Sequence, residues 1–259
     1  MANLHLNFRS DSLMRSVYPV VFLPDFNGWN DVKPPYRTLY FLPGYSGGGL
    51  ETATFTNFSL YSTLYGVAIV LVDGENSFYV DDELRGAKFS EYVGQEIVEA
   101  TRALLPLSHK REDTYIGGIS MGGFGAAARG LHANETFSKI LMMSPAIQAD
   151  MLFNLKGDLE GAVPVSIFDS LLGGMEAYKN SFMNPIKAVA DLKAAGADIP
   201  KMYMCCGVQD VLVYDACAGF REEMEKLGVP LTYVESDGMH TVPYWDEQLE
   251  DCFKFLADA

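Results

Sequence analysis

The sequence has no uninterrupted apolar segment of the roughly 18 residues that a membrane-spanning helix requires, so we predict no membrane partner. Basic residues are also few: 19 lysines and arginines stand against 34 aspartates and glutamates, and the net charge is −15. The basic residues form no cluster. Because nucleic acids are bound by basic patches, we predict no nucleic-acid partner either.

Cysteine is scarce as well, and the four cysteines show no pair with the spacing of a zinc site. We therefore predict no metal and no other cofactor. Cys205 and Cys206 are neighbours in an apolar run, and Cys217 and Cys252 fall on apolar faces of predicted helices, which is typical of buried thiols. The N-terminal residues lack the basic segment and apolar core of a signal peptide. We expect a cytoplasmic protein with reduced thiols.

Eight runs with strand character are separated by segments of helical periodicity. They are Leu4–Phe8, Ser16–Leu23, Thr38–Leu42, Val67–Val72, Thr114–Ile119, Lys139–Met143, Lys201–Cys206 and Leu231–Glu235. The first two predict an antiparallel pair, whereas the later continuous apolar runs favour parallel strands that are covered on both faces. The predicted fold is α/β, with an eight-stranded, mostly parallel sheet and helices on both faces.

Apolar residues at helical spacing predict helices over Phe89–Leu104, Phe220–Leu227 and Trp245–Leu256, the second of them closed by Gly228. One stretch, residues 147–184, does not alternate strands with helices. It follows the sixth predicted strand. We interpret it as a small cap insertion within a single domain that spans residues 1–259, since 259 residues suit one large α/β domain.

The residues Gly118-Ile119-Ser120-Met121-Gly122 form a Gly-x-Ser-x-Gly motif between a predicted strand and a helix start rich in small residues. This arrangement resembles the nucleophile elbow of α/β-hydrolases, in which a strained turn lifts the serine hydroxyl clear of the sheet. The two glycines allow the backbones to approach each other where a Cβ would block them. Ser120 is therefore the predicted nucleophile.

A nucleophile of this kind needs a histidine base that follows it in the chain. Of the four histidines, His5 and His109 precede Ser120, and His132 lies on the helix that the elbow starts. Only His240 remains, in a glycine-bearing loop after an apolar, strand-like run. We predict His240 as the base.

The carboxylate that orients the base should lie between the serine and the histidine in the chain. Asp210 ends the turn after the predicted strand Lys201–Cys206 and is the favoured candidate. Asp215 is the alternative, although an aspartate near a helix start is also interpretable as an N-cap.

The loop Leu42–Gly49 follows the third predicted strand and contains several glycines. An oxyanion hole requires two backbone N–H donors directed at the developing negative charge. We expect one from Met121, the residue after the nucleophile, and the other from Tyr45 or Ser46 in this loop. The sequence leaves the choice between these two residues open.

Together these motifs resemble the esterase D / tributyrin esterase family of α/β-hydrolases, which also contains feruloyl and acetyl-xylan esterases. The matching segments lie at residues 42–47, 72–79, 118–123, 206–210, 238–240 and 244–246. The resemblance implies a serine carboxylesterase with Ser120, Asp210 and His240 as its triad. It would hydrolyse small short-chain acyl or aromatic esters through an acyl-enzyme.

Two positions depart from the pattern of that family. Pro43 stands where a histidine usually precedes the oxyanion glycine, and Thr241 where an aspartate usually follows the histidine, so substrate preference should be unusual. S-formylglutathione hydrolase relatives carry a threonine–cysteine pair where Ser46-Gly47 stands, which disfavours that activity. A thioesterase or peptidase with the same triad, and a catalytically inert binding protein, remain alternatives. The oligomeric state stays open, with a homo-oligomer as one option.

Overall fold

The computed structural model describes residues 2–24, 31–147 and 165–258. The strands in these ranges are β1 (Ala2–His5), β2 (Phe8–Ser10), β3 (Arg15–Val17), β4 (Val20–Leu23), β5 (Arg37–Leu42), β6 (Val67–Leu71), β7 (Thr114–Ile119), β8 (Lys139–Met143), β9 (Lys201–Gly207) and β10 (Leu231–Ser236). The α-helices in the same ranges are α1 (Gly49–Phe55), α2 (Phe58–Tyr65), α3 (Phe89–Glu91), α4 (Ile97–Leu104), α5 (Met121–His132), α6 (Val165–Leu172), α7 (Met175–Asn180), α8 (Pro185–Ala195), α9 (Tyr214–Leu227) and α10 (Val242–Ala257).

Eight of the strands form one sheet in the order β1-β4-β6-β5-β7-β8-β9-β10. Strand β4 runs antiparallel to both of its neighbours, and the remaining neighbouring pairs are parallel. This confirms the predicted α/β fold with an eight-stranded, mostly parallel sheet. The carboxyl ends of the parallel strands consequently lie along one edge of the sheet, where α/β folds bind their ligands.

The prediction of two continuous N-terminal strands was wrong. Strands β1 and β4 do pair antiparallel, but the chain between them leaves the sheet and forms a separate hairpin of β2 and β3. The second predicted run is interrupted at Pro19, which has no N–H to donate to a ladder, and its carbonyl accepts from the Leu6 N–H at 3.0 Å. Alternation of apolar residues did not reveal this interruption.

Helices cover both faces of the sheet, as predicted. On one face α5 and α9 contribute Phe124 and Phe220 to a buried cluster, and on the other α2 and α10 contribute Phe58 and Phe253. Phe58 packs edge-on against Phe41 of β5, with ring centroids 4.6 Å apart. Burial of aromatic rings on both faces fixes the helices against the sheet and supports the loops at its edge.

The three helices predicted from periodicity are confirmed. The first contains a π-helical turn, Tyr92–Glu96, between α3 and α4. The second, α9, ends at Gly228, which adopts φ 62° as the predicted glycine C-cap. The third is α10, which carries Trp245, Leu249, Phe253 and Leu256 at helical spacing.

Of the predicted cap over residues 147–184, residues 148–164 lie outside the described part of the chain. The remainder contains the helices α6 and α7.

The four cysteines are buried and form no disulfide. Within the described ranges, no helix combines the length and hydropathy that crossing a bilayer requires, and no three histidine, cysteine, aspartate or glutamate side chains group as metal ligands.

Candidate active site

Ser120 lies in the sharp turn between β7 and α5, with φ 55° and ψ −117°. A non-glycine residue at positive φ is strained, and such strain is common at functional sites. The turn depends on its glycines: a Cβ on Gly118 would lie 2.2 Å from the Gly122 carbonyl oxygen, and one on Gly122 would lie 1.8 Å from the Leu42 carbonyl oxygen. The predicted need for close backbone approach is therefore confirmed at both glycines.

His240 joins the other two predicted residues in one chain of hydrogen bonds. Its Nε2 lies 2.9 Å from Ser120 Oγ, and its Nδ1 lies 2.7 Å from Asp210 Oδ2. Because a carboxylate only accepts, Nδ1–H donates to Asp210 and leaves Nε2 to accept the serine proton. The Asp210 side chain is completely buried, and its Oδ1 accepts from the N–H groups of Leu212 and Val213 at 3.1 and 3.3 Å.

The alternative residues lie elsewhere. Asp215 is exposed in the first turn of α9, and the N-cap of that helix is Val213, so the interpretation of Asp215 as an N-cap was wrong. A carboxylate in a first turn is favoured by the helix dipole. His132 is the last residue of α5, and its ring stacks on Phe182 at 4.6 Å. His5 and His109 are exposed.

The two candidate oxyanion donors in the loop after β5, Tyr45 and Ser46, differ in the hydrogen bonding of their N–H groups. The Ser46 N–H donates to Asn76 Oδ1 at 2.6 Å, and Ser46 has a strained φ of 60°. The N–H groups of Tyr45 and Met121 have no hydrogen-bond acceptor among the described residues. Of the two candidates that the sequence leaves open, Tyr45 has an N–H group without an acceptor among the described residues, whereas Ser46 does not.

A second segment, residues 73–79, holds this loop in place, a role that was not predicted from the sequence. The buried Tyr79 hydroxyl donates to the Pro43 carbonyl at 2.9 Å, and Asp73 Oδ1 accepts from the Gly49 N–H. Burial raises the pKa of Tyr79 well above its ordinary value, so the hydroxyl keeps the proton it donates. Four residues of this segment have positive φ: Glu75, Asn76, Phe78 and Tyr79. The segment resembles the family motif, but the residue types of a motif do not show which loop the segment contacts.

A cavity of about 220 Å³ opens beside Ser120. Its described walls are the loop after β5, the helix α1, and the start of α10. The side chains and backbone that line it belong to Gly44, Tyr45, Ser46, Gly47, Glu51, Thr52, Phe55, Thr56, Ile119, Ser120, His240, Val242 and Trp245.

Trp245 packs against His240, the predicted base, from the α10 side of the cavity. Its ring meets the His240 ring edge-to-face with centroids 5.0 Å apart. Its indole N–H donates to Ser144 Oγ at 3.1 Å, which fixes the ring. The sequence predicts Trp245 only on the apolar face of a helix, because the contact to His240 depends on how that helix packs against the loop before it.

Comparison with known proteins shows the family of this chain. The Esterase family, described as "Putative esterase", matches residues 10–256. The chain is 33% identical to an acetyl esterase of Caldicellulosiruptor saccharolyticus over 99% of this chain and 98% of that protein. This protein belongs to the esterase family.

Solved structures give the same result for the fold of this esterase. FphF, a fluorophosphonate-binding serine hydrolase of Staphylococcus aureus, superposes with a TM-score of 0.87 at 24% identity and covers 100% of this chain and 99% of its own. The S-formylglutathione hydrolase FrmB of the same organism superposes with a TM-score of 0.84 at 25% identity, with 99% of each chain covered. The fold is that of the α/β-hydrolases, and the protein is an esterase.

Proposed function

We propose that Ser120, His240 and Asp210 form the catalytic triad of a carboxylesterase that acts on short-chain acyl or small aromatic esters. The observation that carries the proposal is the continuous hydrogen-bonded chain from Ser120 Oγ through the imidazole to the buried Asp210 carboxylate. Three side chains that are distant in sequence meet at a strained turn, which is the arrangement that activates a serine hydroxyl.

The reaction follows from this chain of contacts. His240 Nε2 takes the proton of Ser120 as the hydroxyl oxygen attacks the ester carbonyl, and then gives it to the leaving alcohol. Asp210 holds the imidazole in the tautomer with Nδ1–H and stabilises the cation that forms. A water molecule then hydrolyses the acyl-enzyme by the same route, which regenerates Ser120 and releases the acid.

The oxyanion donors in this proposal are the N–H groups of Met121 and Tyr45. Both lack an acceptor among the described residues, so they are available to a developing oxyanion. Ser46, the third candidate, directs its N–H to Asn76 instead. We therefore assign Ser46 to shaping the loop and not to binding the oxyanion.

The size of the cavity and the relatives support small substrates. A volume of about 220 Å³ exceeds the roughly 150 Å³ that accommodates a benzene ring, so the cavity suits a small ester. The relative at 33% identity is an acetyl esterase. A thioesterase is the second candidate, because one structural neighbour at 25% identity is an S-formylglutathione hydrolase.

A panel of p-nitrophenyl esters of graded chain length, with methyl ferulate, acetylated xylan and S-formylglutathione, tests the proposed substrate class. We expect acetate and butyrate to be hydrolysed faster than dodecanoate, with activity unchanged by EDTA. A preference for dodecanoate would contradict the short-chain assignment. Loss of activity with chelator that zinc restores would contradict the metal-free mechanism.

The variant Ser120→Ala tests the nucleophile. We expect ester hydrolysis to fall to the background rate, because the attacking oxygen is gone, while the thermal unfolding midpoint stays close to that of the wild type. Retained turnover in a folded Ser120→Ala protein would overturn the assignment of Ser120.

A further inference from the structure

The wall that α1 contributes to the active-site cavity carries an ionisable side chain, Glu51. Its neighbours on that wall are Thr52, Phe55 and Thr56. Glu51 is exposed, and among the described residues it has no ion-pair partner and no hydrogen-bond donor to its carboxylate. A substrate in the cavity therefore meets an uncompensated negative charge.

The two threonines of this wall offer the cavity acceptors and no donors. The Thr52 hydroxyl donates to the Gly48 carbonyl at 2.9 Å, and the Thr56 hydroxyl donates to the Thr52 carbonyl at 2.6 Å. Each hydroxyl has one proton, so lone pairs are what each has left for a ligand. An ionised carboxylate also only accepts. The side-chain polar groups of α1 thus suit a ligand that donates hydrogen bonds and oppose one that carries negative charge.

The position of His240 indicates which part of the ester meets this wall. In the proposed mechanism the imidazole delivers its proton to the leaving alcohol, so that alcohol must lie beside Nε2. His240 and the start of α10, with Val242 and Trp245, line the same cavity as Glu51. The alcohol part of the ester therefore occupies the space between α10 and α1.

We propose that Glu51 determines specificity for the alcohol part of the substrate: the α1 wall favours uncharged, hydroxyl-bearing alcohols and disfavours anionic ones. The inference rests on the proposed function, since it uses the direction of proton transfer from His240. It also predicts weak turnover of S-formylglutathione, whose leaving thiol carries carboxylates. The effect belongs to an exposed charge and is therefore modest and sensitive to salt.

The test compares three acetyl esters that differ in the alcohol: phenyl acetate, 4-acetoxybenzoate, which adds a negative charge, and methyl 6-O-acetylglucoside, which adds hydroxyls. Each is measured with wild type and Glu51→Gln, so intrinsic reactivity cancels within each ester. Relative to phenyl acetate, we expect Glu51→Gln to raise kcat/KM for 4-acetoxybenzoate by roughly three- to tenfold and to lower it for the glucoside. High salt should shrink the gain.

Glu83→Gln is the matched control, because Glu83 is an exposed glutamate outside the cavity lining and its change alters the net charge equally. We expect it to leave both ratios unchanged. Unchanged ratios in Glu51→Gln, or equal changes in Glu83→Gln, would overturn the role of Glu51. Turnover of phenyl acetate that depends on Ser120 reports separately on the proposed function, so the two failures are distinguishable.

Discussion

The two ends of the parallel sheet are built in contrasting ways. At the carboxyl ends of β5, β7 and β8, the residues Ser46, Ser120 and Ser144 all have positive φ. At the amino ends, the side chains of Arg37 and Lys139 donate hydrogen bonds to carbonyls at the C-terminal ends of helices. We infer from this difference that backbone strain at the carboxyl ends serves the candidate site, whereas the contacts at the amino ends serve stability.

The amino-end contacts join β5 and β8 to the C-terminal ends of α2 and α10. Arg37 donates to the Ala257 and Tyr65 carbonyls, each at 3.1 Å. Lys139 Nζ donates to the Phe255 and Leu256 carbonyls at 3.0 and 3.1 Å. These carbonyls lie at the C-terminal ends of α10 and α2, where cations are favoured by the helix dipole. A change at this end should therefore alter stability and spare catalysis.

The largest effect should come from the carboxylate at the catalytic end. We expect Asp210→Asn to lower turnover at neutral pH by roughly 10⁴-fold, because an amide favours the wrong imidazole tautomer. Asp215→Asn is the matched control and should be nearly normal, since its side chain is exposed in the first turn of α9. Measuring kcat for both variants decides the matter. The reverse pattern would move the acid to Asp215, and two active variants would leave the carboxylate unidentified.

A smaller effect should follow from loosening the oxyanion loop. Asn76→Ala removes the acceptor of the Ser46 N–H, so the loop loses one of the contacts that set its strained conformation. We expect kcat to fall by roughly 10-fold to 100-fold with little change in KM, since the oxyanion forms only in the transition state.

Asn76→Asp is the control for that prediction, because it keeps an acceptor oxygen at the same position. It should recover most of the lost kcat. Equal activity in the wild type and Asn76→Ala would show that the hydrogen bond to Ser46 does not position the oxyanion donors.

The smallest effect on activity should come from the amino end. Lys139→Met removes the donor to several carbonyls at the end of α10, and we expect a loss of about 1–3 kcal/mol in the free energy of unfolding. Turnover at 25 °C should stay within about twofold of the wild type, because Lys139 lies at the amino end of β8, opposite the candidate site. Lys226→Met, an exposed change on α9, should alter neither quantity. An inactive Lys139→Met protein of unchanged stability would contradict the claim that the amino ends of the strands serve stability and not catalysis.

Much of this molecule could be predicted from local sequence. The elbow glycines and the periodicity of α10 depend on short spacings in the chain. Ser120, Asp210 and His240 are far apart, but their order along the chain is the one that the elbow motif requires. The hairpin of β2 and β3 could not be predicted, because the same apolar alternation suits a strand in the sheet or outside it.

The contacts around the candidate site could not be predicted from the sequence either. The hydrogen bond between Ser46 and Asn76 joins two different loops, and the proposal of Tyr45 in place of Ser46 depends on it. Glu51 lines the same cavity as Ser120 and His240, which are distant from it in the sequence. Such contacts depend on how elements pack, which no local pattern of residue types encodes.

The central claim, that Ser120 is the activated nucleophile, is tested most directly by mapping a fluorophosphonate adduct by mass spectrometry after proteolysis. The account predicts a single adduct on the peptide that contains Ser120, no adduct in Ser120→Ala, and much slower labelling in Asp210→Asn than in Asp215→Asn. An adduct on another residue, or equal labelling of wild type and Ser120→Ala, would contradict it.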